Sequence, residues 1–129
     1  MINFERFMLK LELVSGVYID DENKKFEERV RKRIGCYIMN EFDLYIELVE
    51  LNKNLCSSIY DYEIVKYKTI ELIADNVTYR VLRHYGIVAD KYHNTSYLEV
   101  SSYFSGDNAK VAKRKIVEFS NEIIDEIDL

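Results

Sequence analysis

Groups able to run a reaction are scarce in this chain. It holds two histidines, His84 and His93, two cysteines, Cys36 and Cys56, and an acidic run at Asp20-Asp21-Glu22. A cysteine paired with histidine would make a nucleophile, because a nearby base raises the thiolate fraction. No glycine-rich elbow or oxyanion-hole sequence accompanies either cysteine. A metal site needs His, Cys or carboxylates clustered at tight spacing, and the histidines stand nine positions apart across an expected helix end. The acidic run lacks the alternating oxygen ligands and turn glycine of a calcium loop. There is no glycine-rich phosphate loop, and the remaining carboxylates read as helix-surface or capping groups. The expectation is no catalytic residue, no cofactor and no metal: a protein that acts by contact.

The elements that would present such contacts belong to one domain, residues 1–129, with room for one sizeable core. Hydrophobic residues make up 48%, enough to exclude wholesale disorder. No apolar run approaches the roughly 20 residues of a bilayer span. Glu5, Arg6, Lys10 and Glu12 interrupt any signal-like stretch, so a cytoplasmic protein is expected, with no membrane partner. The cysteines are expected as buried fillers in a reducing compartment rather than as a disulfide. A net charge of −5 argues against broad, salt-driven nucleic-acid binding. Eleven tyrosines with no tryptophan and no proline suit contact surfaces, though an AT-rich genome gives the same bias.

The periodicity predicts a mainly α protein, a small helical bundle around a long central helix. Asn3 caps a first helix to about Val14, with Phe4, Phe7, Met8 and Leu11 on one stripe, and Ser15-Gly16 ends it. A second helix is predicted from about Asp21 to Asn40, buried along Phe26, Val30, Ile34, Tyr37 and Ile38. Residues 41–52 read as a further helix and Asn52-Lys53-Asn54 as a turn. The longest pattern runs from Ser58 to Tyr85 and is apolar on two sides, as a central helix should be. Gly86 stops it. From 87 to 106 the period changes: Leu98, Val100, Ser102 and Phe104 alternate with Tyr97, Glu99, Ser101 and Tyr103, which predicts a strand in an extended arm or β-hairpin. A final helix covers 108–128.

Charge marks two regions. Residues 24–33 carry six Lys or Arg and two Glu. That run is read first as a solvated helix face, and second as a patch for an acidic partner through Lys25, Arg29 and Lys32. The same patch, with the tyrosines near the expected strand, could give a local nucleic-acid footprint. In the last helix Lys110, Lys113, Arg114 and Lys115 precede Glu118, Glu122, Asp125, Glu126 and Asp128. The order opposes the helix macrodipole, which prefers acids first and bases last. Head-to-tail association of copies, acidic end to basic segment, is one use for it; a solubilising tail is the other.

The order of these pieces carries a resemblance. A short helix, the step Tyr18-Ile19-Asp20-Asp21-Glu22, an amphipathic helix ending Tyr37-Ile38-Met39-Asn40, a long helix closing Tyr79-Arg80-Val81-Leu82, and the segment Tyr97-Leu98-Glu99-Val100-Ser101-Ser102-Tyr103 together resemble the head–tail connector proteins of long-tailed bacteriophages. The resemblance is a pattern rather than a motif and covers about three quarters of the chain. It implies a structural subunit of a homo-oligomeric ring beneath the portal. Its partners would be the portal and neighbouring neck proteins, with DNA passing through the ring and no small-molecule substrate. The chain would be found in the host cytoplasm during assembly and then in the virion neck. Contacts would fall on Tyr97, Leu98, Val100, Tyr103 and Phe104 of the arm and on Lys110, Lys113, Arg114, Glu122, Asp125 and Glu126 of the last helix. The alternative is a small acidic phage- or mobile-element-encoded inhibitor of a host defence or nucleic-acid-processing protein, whose Glu118–Asp128 helix imitates phosphates. A helical subunit of an unrelated bacterial complex is the third reading.

Overall fold

Asn3 opens the first helix, α1 (Phe4–Ser15), by accepting the Arg6 N–H on its side-chain oxygen at 3.1 Å. Gly16 closes it at φ 69° and donates its own N–H to the Glu12 carbonyl. In this computed structural model the described residues are 3–40, 59–88, 95–104 and 106–127; for 59–62, 65–66 and 95–98 the description covers the backbone only. The expected helix at 41–52 and the turn after it lie outside them. So do Cys56, with any disulfide to Cys36, and His93.

The second helix, α2 (Phe26–Asn40), begins five residues later than its acidic run suggested. The Asp21 carboxylate is taken by arginine side chains rather than by helix N–H groups, and the chain turns there, with the Lys24 N–H on the Asp21 carbonyl at 2.9 Å. The helix starts only where the Lys25 carbonyl accepts the Arg29 N–H.

The long helix, α3 (Ile59–His84), matches its expected span within a residue at each end. Beyond it the Ile87 N–H reaches the Leu82 carbonyl at 2.9 Å and the Gly86 N–H reaches Arg83 at 3.0 Å. That is a Schellman stop with Gly86 at φ 74°. Nothing crowds a Cβ at Gly86, so the Gly86→Ala variant tests backbone strain alone. It is expected to lose about 1–2 kcal/mol, read from the urea midpoint.

The predicted strand is a helix, α4 (Thr95–Tyr103), followed after a short break by α5 (Gly106–Ile127). The alternation at 97–104 coexists with helical spacing: Val100 and Phe104 are i, i+4, and both are 0% exposed in the core. Tyr103 packs beside them, its ring edge-on to Phe104 at 5.4 Å. Burial on one side of a helix supplied the apolar contact that a strand would have needed a partner to find. Ile87 and Val88 are non-helical, and the rest of the expected partner strand lies outside the described residues.

The bundle is built around α3, which packs against α2, α4 and α5, while α1 bridges α2 and α5. Phe7, Leu11, Ile34, Ile38, Ile73, Val77, Val81, Ile116, Phe119 and Ile123 form its centre. Two buried polar groups there bond locally: Asn76 Nδ2 donates to the Leu72 carbonyl and Ser120 Oγ to the Ile116 carbonyl. An aromatic cluster of Phe4, Phe7, Phe26 and Tyr85 seals the end where α1, α2 and the stop of α3 meet.

Candidate protein-interaction surfaces

The basic run at 24–33 is only half a surface patch: its lysines are exposed and its arginines are paired. Arg33 is 0% exposed and spends all its N–H groups inward. Its Nη1 and Nη2 grip the two oxygens of Asp21 at 2.8 and 3.0 Å. Its Nη2 and Nε reach Glu12 Oε1 at 3.0 and 3.3 Å, and the carbonyls of Ile19 and Arg29 take the remainder. Asp21, itself 3% exposed, also accepts from Arg29 Nε at 3.2 Å. Arg31 pairs with Asp75 of α3. Three of the six cations therefore hold the fold together, and Arg29 drops out of the expected docking patch. Lys25 and Lys32 remain exposed. The hydrogen bonds from Arg33 hold the Asp21 carboxyl below its usual range against the opposing effect of burial, and Arg29 adds to them. Burial pushes Arg33 down, but its bonds to Asp21 and Glu12 outweigh that and raise it.

Val100 and Phe104 are core residues and Tyr103 packs against them, so these three are removed from the expected contact surface. Tyr97 and Leu98 lie on α4, but their side chains are outside the described residues. The α5 residues are better placed. Glu122, Asp125 and Glu126 are exposed, as are Lys110 and Arg114, while Lys113 is half-buried. The basic half is partly matched within the helix: Lys110 faces Asp107 at 3.8 Å, and Arg114 and Lys115 share Glu118 at 3.8 and 3.5 Å. Such exposed pairs are worth at most about 1 kcal/mol each.

A cationic groove that the charge runs did not reveal lies between the ends of α3 and α5. Tyr79, Arg80, Arg83, His84, Ser120, Asn121 and Ile124 line about 600 Å³ of open space. No carboxylate is among these side chains. Arg83 Nη1 donates to Tyr79 Oη at 2.6 Å, its guanidinium 5.8 Å from that ring's centre. The Tyr85 hydroxyl reaches the Ile124 carbonyl at 3.5 Å, fastening α3 to this flank of α5. On the other flank Tyr37 of α2 donates to Glu122 at 3.2 Å. At 3.6 residues per turn, Glu122 and Glu126 fall on the flank of α5 away from the groove, while Glu118 and Asp125, one turn to either side of Asn121, face outward between the two. One helix thus separates a groove of positive charge from a stripe of negative charge. The spacing Arg80, Arg83, His84 (i, i+3, i+4) is legible in the sequence, but it sits inside an apolar helix rather than in a charge run.

Two apolar surfaces complete the exterior. Leu9 and Leu13 stand exposed on the outer side of α1 with Tyr18 exposed in the connector beyond it, and Cys36, Met39, Tyr67 and Ile70 line a groove of about 590 Å³ between α2 and α3. Among the described residues no three His, Cys, Asp or Glu side chains gather where a metal ion could sit, and no helix is long and apolar enough to cross a membrane. Compared with protein families, curated protein sequences and solved structures, the chain finds no match.

Proposed function

We propose that this chain is an assembly subunit that works by contact, a head–tail connector of the long-tailed phage kind. Copies would join in a ring that meets the portal and neighbouring neck proteins and leaves a passage for DNA. The observation that supports this reading is the pair of oppositely charged surfaces on the two flanks of α5. A ring subunit needs two different faces, one for each neighbour, whereas a protein that seals a single target needs one. Cys36 lines the groove between α2 and α3 and His84 the separate groove between α3 and α5, so a Cys–His pair is not assembled from these two residues.

The test is the mass of the native complex isolated through a tagged chain. Several symmetric copies on a larger ring are the expected result. One or two copies on a host enzyme would overturn the connector reading in favour of the inhibitor. The exposed acids Glu118, Glu122, Asp125 and Glu126 would then be its phosphate-like surface.

A further inference from the structure

We infer that the groove between α3 and α5 is the subunit–subunit contact of that assembly, and that its occupant is the acidic α5 flank of a second copy. The inference rests on the assembly reading above and specifies the surfaces involved. Arginine is the side chain best suited to the task, because its planar fork pairs with a carboxylate through two parallel hydrogen bonds. Arg83 is already oriented by the Tyr79 hydroxyl, so less side-chain freedom is lost on pairing. Arg80 is exposed on the turn before it, and Asn121 adds an exposed amide on the α5 wall. Ser120 Oγ is turned away to the Ile116 carbonyl, and Ile124 gives the groove its apolar side.

The matching anions are on the chain itself. Asp125 and Glu126 are exposed and make no ion pair among the described residues. Glu126 lies around α5 from the groove, so the same copy's groove is a poor partner for it and a neighbour's is a good one, while Asp125, one turn on from Asn121, stands between the two surfaces. A contact between two different surfaces is heterologous, and it closes into a ring or extends into a filament according to its rotation. The groove outranks the basic half of α5 as the receiving surface, because Lys110, Arg114 and Lys115 already face carboxylates of their own helix. A nucleic-acid phosphate is disfavoured by the net charge of −5 and by the acid stripe on the adjoining helix.

The decisive experiment is site-directed crosslinking in the native complex. Treated with a mild thiol oxidant, an Arg83→Cys/Glu126→Cys chain is expected to form disulfide-linked multimers that the wild-type chain, with its own cysteines, does not form. Absence of that ladder in a complex of several copies would overturn the groove assignment and leave the assembly reading standing. A complex of single copies would instead remove the assembly reading itself. Charge reversal gives the second arm. Arg80→Glu/Arg83→Glu should weaken copy–copy association at least about tenfold, since like charges brought together at an interface are costly. Lys113→Glu/Arg114→Glu should weaken it less. Mixed with an Asp125→Lys/Glu126→Lys chain, the Arg80→Glu/Arg83→Glu chain should regain association beyond what either variant shows alone, because its acid flank meets the other's intact groove and its reversed groove meets the other's reversed flank. If Arg80→Glu/Arg83→Glu abolishes binding of a single-stranded oligonucleotide while association is unchanged, the groove is a nucleic-acid site and the inference fails.

Discussion

Arg33→Met is expected to lower the unfolding free energy by about 3–5 kcal/mol, toward the lower end, measured by urea denaturation at neutral pH. The guanidinium is fully enclosed, and its removal leaves Asp21, 3% exposed, as a buried charge with fewer partners. The cost is moderated because Asp21 keeps Arg29 at 3.2 Å and Glu12 is exposed enough to meet water. A lysine would be little better, since one ammonium cannot reach two carboxylates and two carbonyls from the same position. The effect also has a pH signature. The folded pKa of Asp21 lies below the unfolded value, so its contribution is fully present above about pH 4 and is lost as pH falls through the folded pKa. The gap between wild type and Arg33→Met should therefore narrow in acid. A gap that stays constant down to the acid transition would show that the carboxylate pairing is not what Arg33 supplies.

Phe104→Ala is the second large effect, expected to cost about 3–5 kcal/mol of stability. Phe104 is fully buried, follows the last turn of α4 and packs in the same core as Val100, Phe119 and Ile123. The exposed neighbours Glu99 and Ser101 serve as controls, with alanine changes expected within about 0.5 kcal/mol of wild type. The result separates two pictures of residues 95–104. In an arm reaching for a partner, Phe104→Ala would spare the monomer and damage assembly. In the helix seen here it unfolds the monomer first.

That contrast also shows what the sequence makes legible. The bounds of α1 and the end of α3 follow from local chemistry: the Asn3 cap and the stops at Gly16 and Gly86 each act within one turn of chain. The broad apolar surface of α3 identified it as the central helix. The reading failed at 97–104 because eight alternating residues are too few to separate a period of 2 from one of 3.6. Ser102, the polar member of the supposed buried face, is exposed and was the sign of a helix. The start of α2 was misplaced for a different reason. Whether Asp21 caps a helix or pairs with an arginine depends on Glu12 and Arg33, brought together only by the turn between α1 and α2. The same holds for the basic run: a count of charges along the chain cannot tell that Arg31 meets Asp75, 44 residues away. The groove was half legible, since the Arg80–Arg83 spacing is helical, but its α5 wall is a matter of tertiary packing.

The charged knot of Glu12, Asp21 and Arg33 has a consequence for how this sequence can drift. Any single loss strands a buried or half-buried charge, whereas replacing the whole set with well-packed apolar side chains is often neutral or stabilising. The three positions should thus behave as one inherited unit, retained together or exchanged together. Their spacing of nine and twelve residues then becomes a fingerprint by which a distant cousin would be recognised after the helix surfaces had diverged.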